Sequence, residues 1–598
     1  MLKYLIGSGL RAGLKNWTAV LFFEITYKIA GYILFSNLWE LLKIAMLKVL
    51  EVPVIGQQNI GLIFRNPICI ILILLAFLLV AFYVYLEITA LILYCEDGWQ
   101  GRPLSPWALW KRAFLRALAL FHPQNLPVAL ALVPAIGLST LPLTTGFTGK
   151  LQIPEFIFDY IKGVPGLFAA FLVVMTLLNV LLFFYLFSFP AVILGENRYR
   201  GALRESARLL KGRKFKTALA LLAGVLAFLL LALLLLIFMI LLLFCQSKLA
   251  FEPDGGREMF VFHYLKWSAM GRVLLGILGP VSLFSVVVAL YHHYRGDIRP
   301  APASVRYSWK AILSGALSVA ASLLILGVFS ETELGGNPYS HPQTGMVVVS
   351  HRAGAAFAPE NTLAALEWSI QEGADMAEID VQQTRDGALI VLHDTDFRRV
   401  AGFSQKVWEA DYATVRTLDA GSHFSAEFAG ERIPTLDEML SAAKGRIRLM
   451  IELKATGHET GLVAQAVAAI KAAGMERQCL IASMDTSLLR ESKALAPQID
   501  TVYITMMAFS DRYDLPYVDA YSVETGFLTP ELITQLHVKG KKVYVWTANS
   551  EANMLKIIRM GADGLVTDNP PLADFFLKVT DKNYFLESLT ELLYPCAQ

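Results

Sequence analysis

Charge is in short supply in this chain. Asp, Glu, Lys and Arg make up 17% of its 598 residues, where a soluble globular protein carries about 25%. With 55% hydrophobic residues and a mean hydropathy of +0.51, that shortage excludes a disordered chain, a collagen and a fully soluble enzyme. Net charge is only +2, so no polyanionic partner such as nucleic acid is expected. Cysteine is equally sparse. Cys69, Cys95, Cys245, Cys479 and Cys596 include no pair at CxxC spacing, which argues against a disulfide framework and against a thiolate metal site. No small-residue cleavage site follows the first apolar run, so that run is expected to stay as a membrane helix.

What the chain has in excess is long apolar runs, and all of them lie before about Ser330. A membrane span needs roughly 20 such residues. Seven candidates are readable, at 17–35, 68–94, 126–143, 167–194, 216–245, 272–291 and 308–329. Lys and Arg set the side of each loop. The N-terminal segment and the loops after the second, fourth and sixth runs hold 17 of them, and the alternate loops hold eight. The N-terminus is therefore expected in the cytoplasm, and an odd number of spans puts everything after Phe329 outside. Glu24 and Lys28, four apart in the first run, read as an intrahelical pair. Glu87 reads as a polar site between helices. Segment 39–51 is expected to lie flat on the outer leaflet. Segments 107–121 and 199–215 are basic and amphipathic on the inner side, suited to anionic lipid head groups.

After a linker at 331–344 the composition changes. Apolar runs of strand length alternate with amphipathic helical stretches through 345–578, followed by a tail at 579–598. Candidate strands fall at 346–350, 377–381, 388–392, 448–453, 479–483, 501–505, 520–523, 542–546 and 564–567, with helical patterns at 362–372, 462–473, 486–494, 530–539 and 552–560. Repeated βα units imply a parallel sheet. About 250 residues with eight or so strands fit a closed TIM (β/α)8 barrel. A doubly wound open sheet ranks second, because no Gly-rich dinucleotide loop follows the first strand. The expected architecture is thus a multi-pass all-α membrane domain over 1–330, then an α/β TIM barrel.

A barrel places its chemistry at the C-terminal ends of its strands, and the polar residues fall there. Glu378 and Asp380 share one face of a strand because side chains alternate, and Glu452 ends another strand. Close carboxylates repel unless a cation sits between them, and three oxygen ligands suit Mg2+ or Ca2+ rather than zinc. His351 and His393 at the same rim can take and give a proton near neutral pH. Arg352 and Lys454 supply positive charge for an anionic substrate. Together these point to phosphoester chemistry assisted by a divalent cation.

The runs His351-Arg352-Ala353-Gly354, Ala358-Pro359-Glu360-Asn361-Thr362, Gly373 to Val381, Thr384 to Gly387 and His393-Asp394 resemble the glycerophosphodiester phosphodiesterases. So do Ile433 to Leu436, Glu452-Leu453-Lys454, Val545 to Asn549 and Gly561 to Asp568. The first seven-run half is similar, by hydropathy and position, to the membrane domain fused to some members of that family. The resemblance implies hydrolysis of a glycerophosphodiester to glycerol 3-phosphate and an alcohol. It implies His351 and His393 as the acid/base pair, and Glu378, Asp380 and Glu452 as metal ligands. Arg352 and Lys454 would meet the phosphate, Trp546 would wall the glycerol or head group, and Glu360 would reach the metal or orient His351. One departure is Ala353, which stands between the His-Arg pair and Gly354 where the family usually has glycine directly. Attack by the substrate's own glycerol hydroxyl and attack by water both remain open.

The function expected is a membrane-tethered, extracytoplasmic phosphodiesterase in the cell membrane. Its substrate would be a water-soluble glycerophosphodiester, a lysophospholipid or another membrane-proximal glycerophosphate, which ties it to lipid and glycerol metabolism. The alternatives are a lipid-handling membrane protein whose barrel processes the lipid, and a binding module on a barrel scaffold.

Overall fold

The computed structural model describes residues 16–52, 54–55, 60–125, 164–195, 198–250, 253–297, 345–506, 509–510 and 513–579, with isolated positions between 127 and 162 and between 313 and 320. The third and seventh apolar runs and the C-terminal tail lie outside the described residues.

The membrane half is built from helices α1 (Trp17–Leu50), α2 (Pro67–Gln100), α3 (Pro106–Ala117), α4 (Pro165–Tyr185), α5 (Tyr199–Leu210), α6 (Lys214–Ala250) and α7 (Pro253–Arg295). Local signals start and stop them. Asn66 caps α2 by accepting from the Ile68 and Cys69 amides, Pro67 stands at its first position, and Gly101 ends it in a left-handed conformation at φ 74°. Among the described residues, four stretches are long and apolar enough to cross a membrane: Pro67–Gln100, Pro165–Leu194, Lys214–Gln246 and Leu275–Arg295. They coincide with the second, fourth, fifth and sixth runs read from the sequence.

The first run lies in α1, and here one expectation is corrected. Segment 39–51 is not a separate surface helix, because α1 runs unbroken from Trp17 to Leu50. No proline or glycine after Gly31 interrupts it, and Lys43 pairs with Glu40 at 2.6 Å along it. At about 1.5 Å per residue it is roughly 50 Å long, more than a bilayer core of about 30 Å. Glu24 and Lys28 pair at 2.7 Å, as the spacing implied. Next to them α1 and α2 approach closely. Tyr27 and Tyr83 stack at 4.0 Å and each hydroxyl donates to the other's carbonyl. Gly31 permits this approach, since a Cβ there would fall 2.0 Å from the Tyr83 hydroxyl.

At one end of the bundle the helix termini are tied by polar contacts. His292 of α7 lies 2.6 Å from Glu96 and 2.8 Å from Asp297, with Trp99 stacked on its ring. Asp97 takes Arg102 and Arg112. The Tyr199 amide donates to Asn125, Ser206 Oγ donates to the Phe184 carbonyl, and Arg213 donates to the Tyr294 carbonyl. The ends of α2, α4 and α7 and the start of α6 therefore share one face.

The second half is a closed parallel barrel. Its eight staves are β2 (Val347–Ser350), β3 (Met376–Gln383), β5 (Arg448–Leu453), β6 (Cys479–Ser483), β7 (Asp500–Thr505), β9 (Ala520–Glu524), β10 (Lys542–Trp546) and β11 (Gly564–Thr567), with β11 pairing to β2 and β2 to β3 to close the ring. Eight of the nine strands read from the sequence are staves. The ninth, β4 (Leu389–Val391), runs antiparallel on β3. Only Thr384–Ala388 separates the two, too short for the crossover of about a dozen residues that a parallel neighbour needs. The outer layer comprises α8 (Leu363–Gln371), α9 (Leu436–Ala443), α10 (Leu462–Ala473), α11 (Thr486–Leu495), α12 (Pro530–Val538), α13 (Glu551–Met560) and α14 (Pro570–Val579). Among the described residues no helix joins β7 to β9. That connection instead holds β8 (Phe509–Ser510), which pairs antiparallel with β1 (Val54–Ile55) from the loop between α1 and α2.

Candidate active site

Alternation along the staves builds the site. The lower barrel interior is apolar, with Val349, Met376, Met450, Ala520, Tyr544 and Val566 packed together. Two residues on, toward the C-terminal rim, the same inward face carries His351, Glu378, Glu452, Ser522 and Trp546, and Asp380 lies two beyond Glu378. Strand register then sets the neighbours. Asp380 stands directly beside Glu452 on β5, and Ser350 beside Ala377. Oxygens of Glu378, Asp380 and Glu452 lie within 4.8 Å of one another, all buried, and such a group can hold a metal ion.

The electrostatics of this group are unequal. Burial, reinforced by the Asp380 charge, pushes the Glu378 carboxyl up to about 8. Burial also opposes ionisation of Asp380, but Lys454, His393 and Arg352 prevail and hold it well below the carboxylate range. Lys454 Nζ bridges Asp380 and Glu452 at 2.7 Å each. Burial would discharge it, yet these carboxylates keep it firmly protonated. Among the described residues Glu452 Oε1 is buried and meets no hydrogen-bond partner. A buried oxygen left this way costs free energy, and an oxygen-preferring cation between the carboxylates would relieve it.

The two histidines flank the group. His351 Nδ1 lies 2.6 Å from Asp568 Oδ1, so a neutral ring with its proton on Nδ1 leaves Nε2 to face the site. Burial disfavours the imidazolium, but Asp568 outweighs it and raises the His351 pKa. Asp568 is steadied in turn by Asn549 at 2.6 Å. His393 arrives by a different route, on the β4 hairpin, where the Leu392 amide donates to the Asp380 carbonyl at 2.8 Å. Its Nδ1 lies 2.9 Å from Asp394, whose carboxyl is held low, against burial, by His393 and Arg399.

Arg352 wraps the floor of the site. It adopts φ 48° and the following Ala353 φ 62°, a left-handed pair that non-glycine residues rarely take. The turn aims the Arg352 amide at Glu378 (2.9 Å) and its guanidinium at Glu360 (3.0 Å). Ala353 is fully buried, and its carbonyl accepts from Ser369 at 2.6 Å. Gly354 follows at φ 120°, where a Cβ would meet Ser369 Oγ at 2.9 Å and the Trp368 ring at 3.0 Å. Gly354→Ala is expected to lower stability by about 1–3 kcal/mol, seen as a reduced Tm of the full-length protein in detergent.

All eight residues with an expected role other than Glu360 gather at this rim, as does Glu360. It is clamped by Arg399 at 2.6 and 2.7 Å and by Arg352. The carboxylate on His351 is Asp568. Trp546, at the end of β10, packs on the interior cluster and donates to the Ser522 carbonyl at 3.1 Å. Sequence reasoning gave no role to Asp568, Asn549, Arg399 or Asn361, whose side chain donates to Asp380 at 2.7 Å. Asp568 was detectable as one more acid at a strand end. Arg399 had no signal, because its partners lie 5 and 39 residues away.

Comparison with known proteins fits this geometry. A model of the glycerophosphoryl diester phosphodiesterase family matches residues 351–572, and a model of the membrane domain of glycerophosphoryl diester phosphodiesterase matches residues 8–291. A glycerophosphodiester phosphodiesterase of Caldanaerobacter subterraneus is 32% identical over 229 residues, which cover 38% of this chain and 94% of that one. The chain belongs to the glycerophosphodiester phosphodiesterase family. A glycerophosphodiester phosphodiesterase of Bacillus altitudinis is 30% identical over 234 residues, 38% of this chain and 96% of its own. A solved Oleispira antarctica phosphodiesterase, in complex with the product sn-glycerol-3-phosphate, covers 39% of this chain and 96% of its own at 28% identity and a TM-score of 0.36. The protein is a glycerophosphodiester phosphodiesterase, a phosphoric diester hydrolase, fused to a multi-pass membrane domain.

Proposed function

We propose that this phosphodiesterase cleaves glycerophosphodiesters, lysophospholipids among them, at an extracytoplasmic site that uses a divalent cation, Mg2+ or Ca2+. The observation that carries the reading is one barrel rim holding Glu378, Asp380 and Glu452 between His351 and His393. The three carboxylates would hold the cation, an all-oxygen set of the kind hard cations take. When bound, the cation supplies charge neutralisation and polarises the phosphoryl oxygen. Arg352 and Lys454 would pair with the remaining phosphate oxygens. His351, steadied by Asp568, and His393, steadied by Asp394, divide the proton work. One takes the proton of the attacking hydroxyl and the other returns one to the leaving oxygen. Trp546 would close the pocket beside the glycerol or head group.

The sidedness is supported by two observations. The excess of Lys and Arg favours the cytoplasm for the tied end of the bundle. The pairing of β1 with β8 requires the barrel and the loop after α1 to share a face, and that loop lies at the other end of α2.

The test is release of glycerol 3-phosphate from glycerophosphocholine, and of its acylated form from lysophosphatidylcholine, by purified full-length protein. Turnover is expected with Mg2+ or Ca2+ and not with EDTA. Equal turnover in EDTA would remove the cation from the reading, and no turnover with either substrate would overturn it.

A further inference from the structure

The connection from β7 to β9 is the one between successive staves that, among the described residues, holds no helix. It opens at the C-terminal end of β7, the same rim that carries His351 and Glu452, because all eight staves are parallel. In place of a helix, Tyr503, Tyr513 and Tyr521 pack edge to face on the outer side of the sheet. The loop's other contribution is β8, whose register with β1 sets Val54 beside Ser510 and Ile55 beside Phe509. Ile55 is buried in a cluster with Met46 and Leu47 of α1, Ile63, and Cys69 of α2. The strand pair is thus rooted in the outer end of the membrane helices, and α1 also packs beside β8.

The loop that carries β8 therefore meets the membrane half, and this part of the catalytic rim is turned toward the helices. A two-residue strand pair adds little stability on its own. What it fixes is orientation, since main-chain pairing holds one register.

We infer that β1 and β8 form a docking joint that holds the active-site mouth at the membrane surface, so that lipid phosphodiesters resident in the bilayer are the favoured substrates. The inference rests on the phosphodiesterase reading and names its substrate class. The phosphodiester of such a lipid lies at the head-group level while its acyl chain stays in the leaflet. A mouth held there meets it without full extraction of the chain, which would cost about 0.8 kcal/mol per CH2. A freely tethered barrel would have to capture lipid by chance orientation.

The experiment uses full-length protein in phosphatidylcholine/phosphatidylglycerol nanodiscs. Antiparallel partners have Cα atoms about 4.5–5.5 Å apart, inside the range a disulfide spans. Val54→Cys with Ser510→Cys should therefore cross-link under mild oxidation, while either single variant should not. In a second variant, Phe509→Pro with Ser510→Pro removes two backbone donors and breaks the pairing. Its turnover of lysophosphatidylcholine in the disc should fall by about tenfold or more relative to its turnover of soluble glycerophosphocholine, the scale on which misplaced substrate is felt. The inference is overturned by absence of the cross-link in the bilayer, by an unchanged ratio of the two rates, or by loss of both rates in equal proportion. If the unaltered protein turns over neither substrate while the cross-link forms, the phosphodiesterase reading has failed and the joint stands.

Discussion

Alanine in place of His351 is expected to lower kcat on glycerophosphocholine by about 10^2- to 10^4-fold, the range a positioned proton-transfer group contributes. KM should change little, because Arg352 and Lys454 remain to meet the phosphate. The expectation rests on the pairing of His351 Nδ1 with Asp568 at 2.6 Å. That contact fixes the ring and leaves one nitrogen to exchange a proton. Asp568→Asn should therefore lower kcat as well, by a smaller factor, since the imidazole remains and only its tautomer and aim are lost. His393→Ala should resemble His351→Ala, and the double variant should fall well short of the product of the two losses, as residues of one proton path do. Wild-type kcat in His351→Ala would take this histidine out of the reaction.

The second large effect concerns the carboxylates. Asp380→Asn should reduce cation-dependent turnover by on the order of 10^3, the equivalent of about 4 kcal/mol of lost charge stabilisation. It also strands Lys454, which relies on Asp380 for one of its two 2.7 Å contacts. A pH signature should accompany it in the unaltered enzyme. Without a cation, burial and the neighbouring Asp380 charge place the Glu378 carboxyl at about 8, so at neutral pH it is mostly protonated. A cation needs the carboxylate, so binding must displace that proton. Apparent affinity for Mg2+ or Ca2+ should weaken by about tenfold for each pH unit below 8 and level off above it. Calorimetry in two buffers of different ionisation enthalpy would count the proton released. A flat affinity between pH 6 and 8 would show that cation binding displaces no proton from Glu378 in that range.

Much of the barrel was legible because its rules are local. A period of two in β3 puts Met376, Glu378 and Asp380 on one face, and the same period in β5 pairs Met450 with Glu452. Apolar below and acidic above is written in the order of residues. The β4 segment is a strand, as its apolar run implies, but it pairs antiparallel on β3 instead of standing as a stave. The five residues of Thr384–Ala388 decide against it, and they bring His393 to the rim from the side. Segment 39–51 was misread. Its amphipathic pattern fits a surface helix, but continuous helix formers from α1 let it extend instead.

The amino-acid sequence by itself determined the division into an apolar helical half and a parallel barrel, the residues at each strand end and the family they mark. These follow from composition, periodicity and short motifs, which need no knowledge of distant contacts. The tertiary structure alone decided which carboxylate holds His351. Asp568 lies 217 residues away in the chain, and only closure of β11 against β2 brings it near. It also decided that Glu360 belongs to Arg399 and Arg352, and that the catalytic rim meets α1 through β1 and β8. Ring closure and strand pairing across several hundred residues are set by the sum of many weak packing terms, and no local stretch of sequence carries that sum.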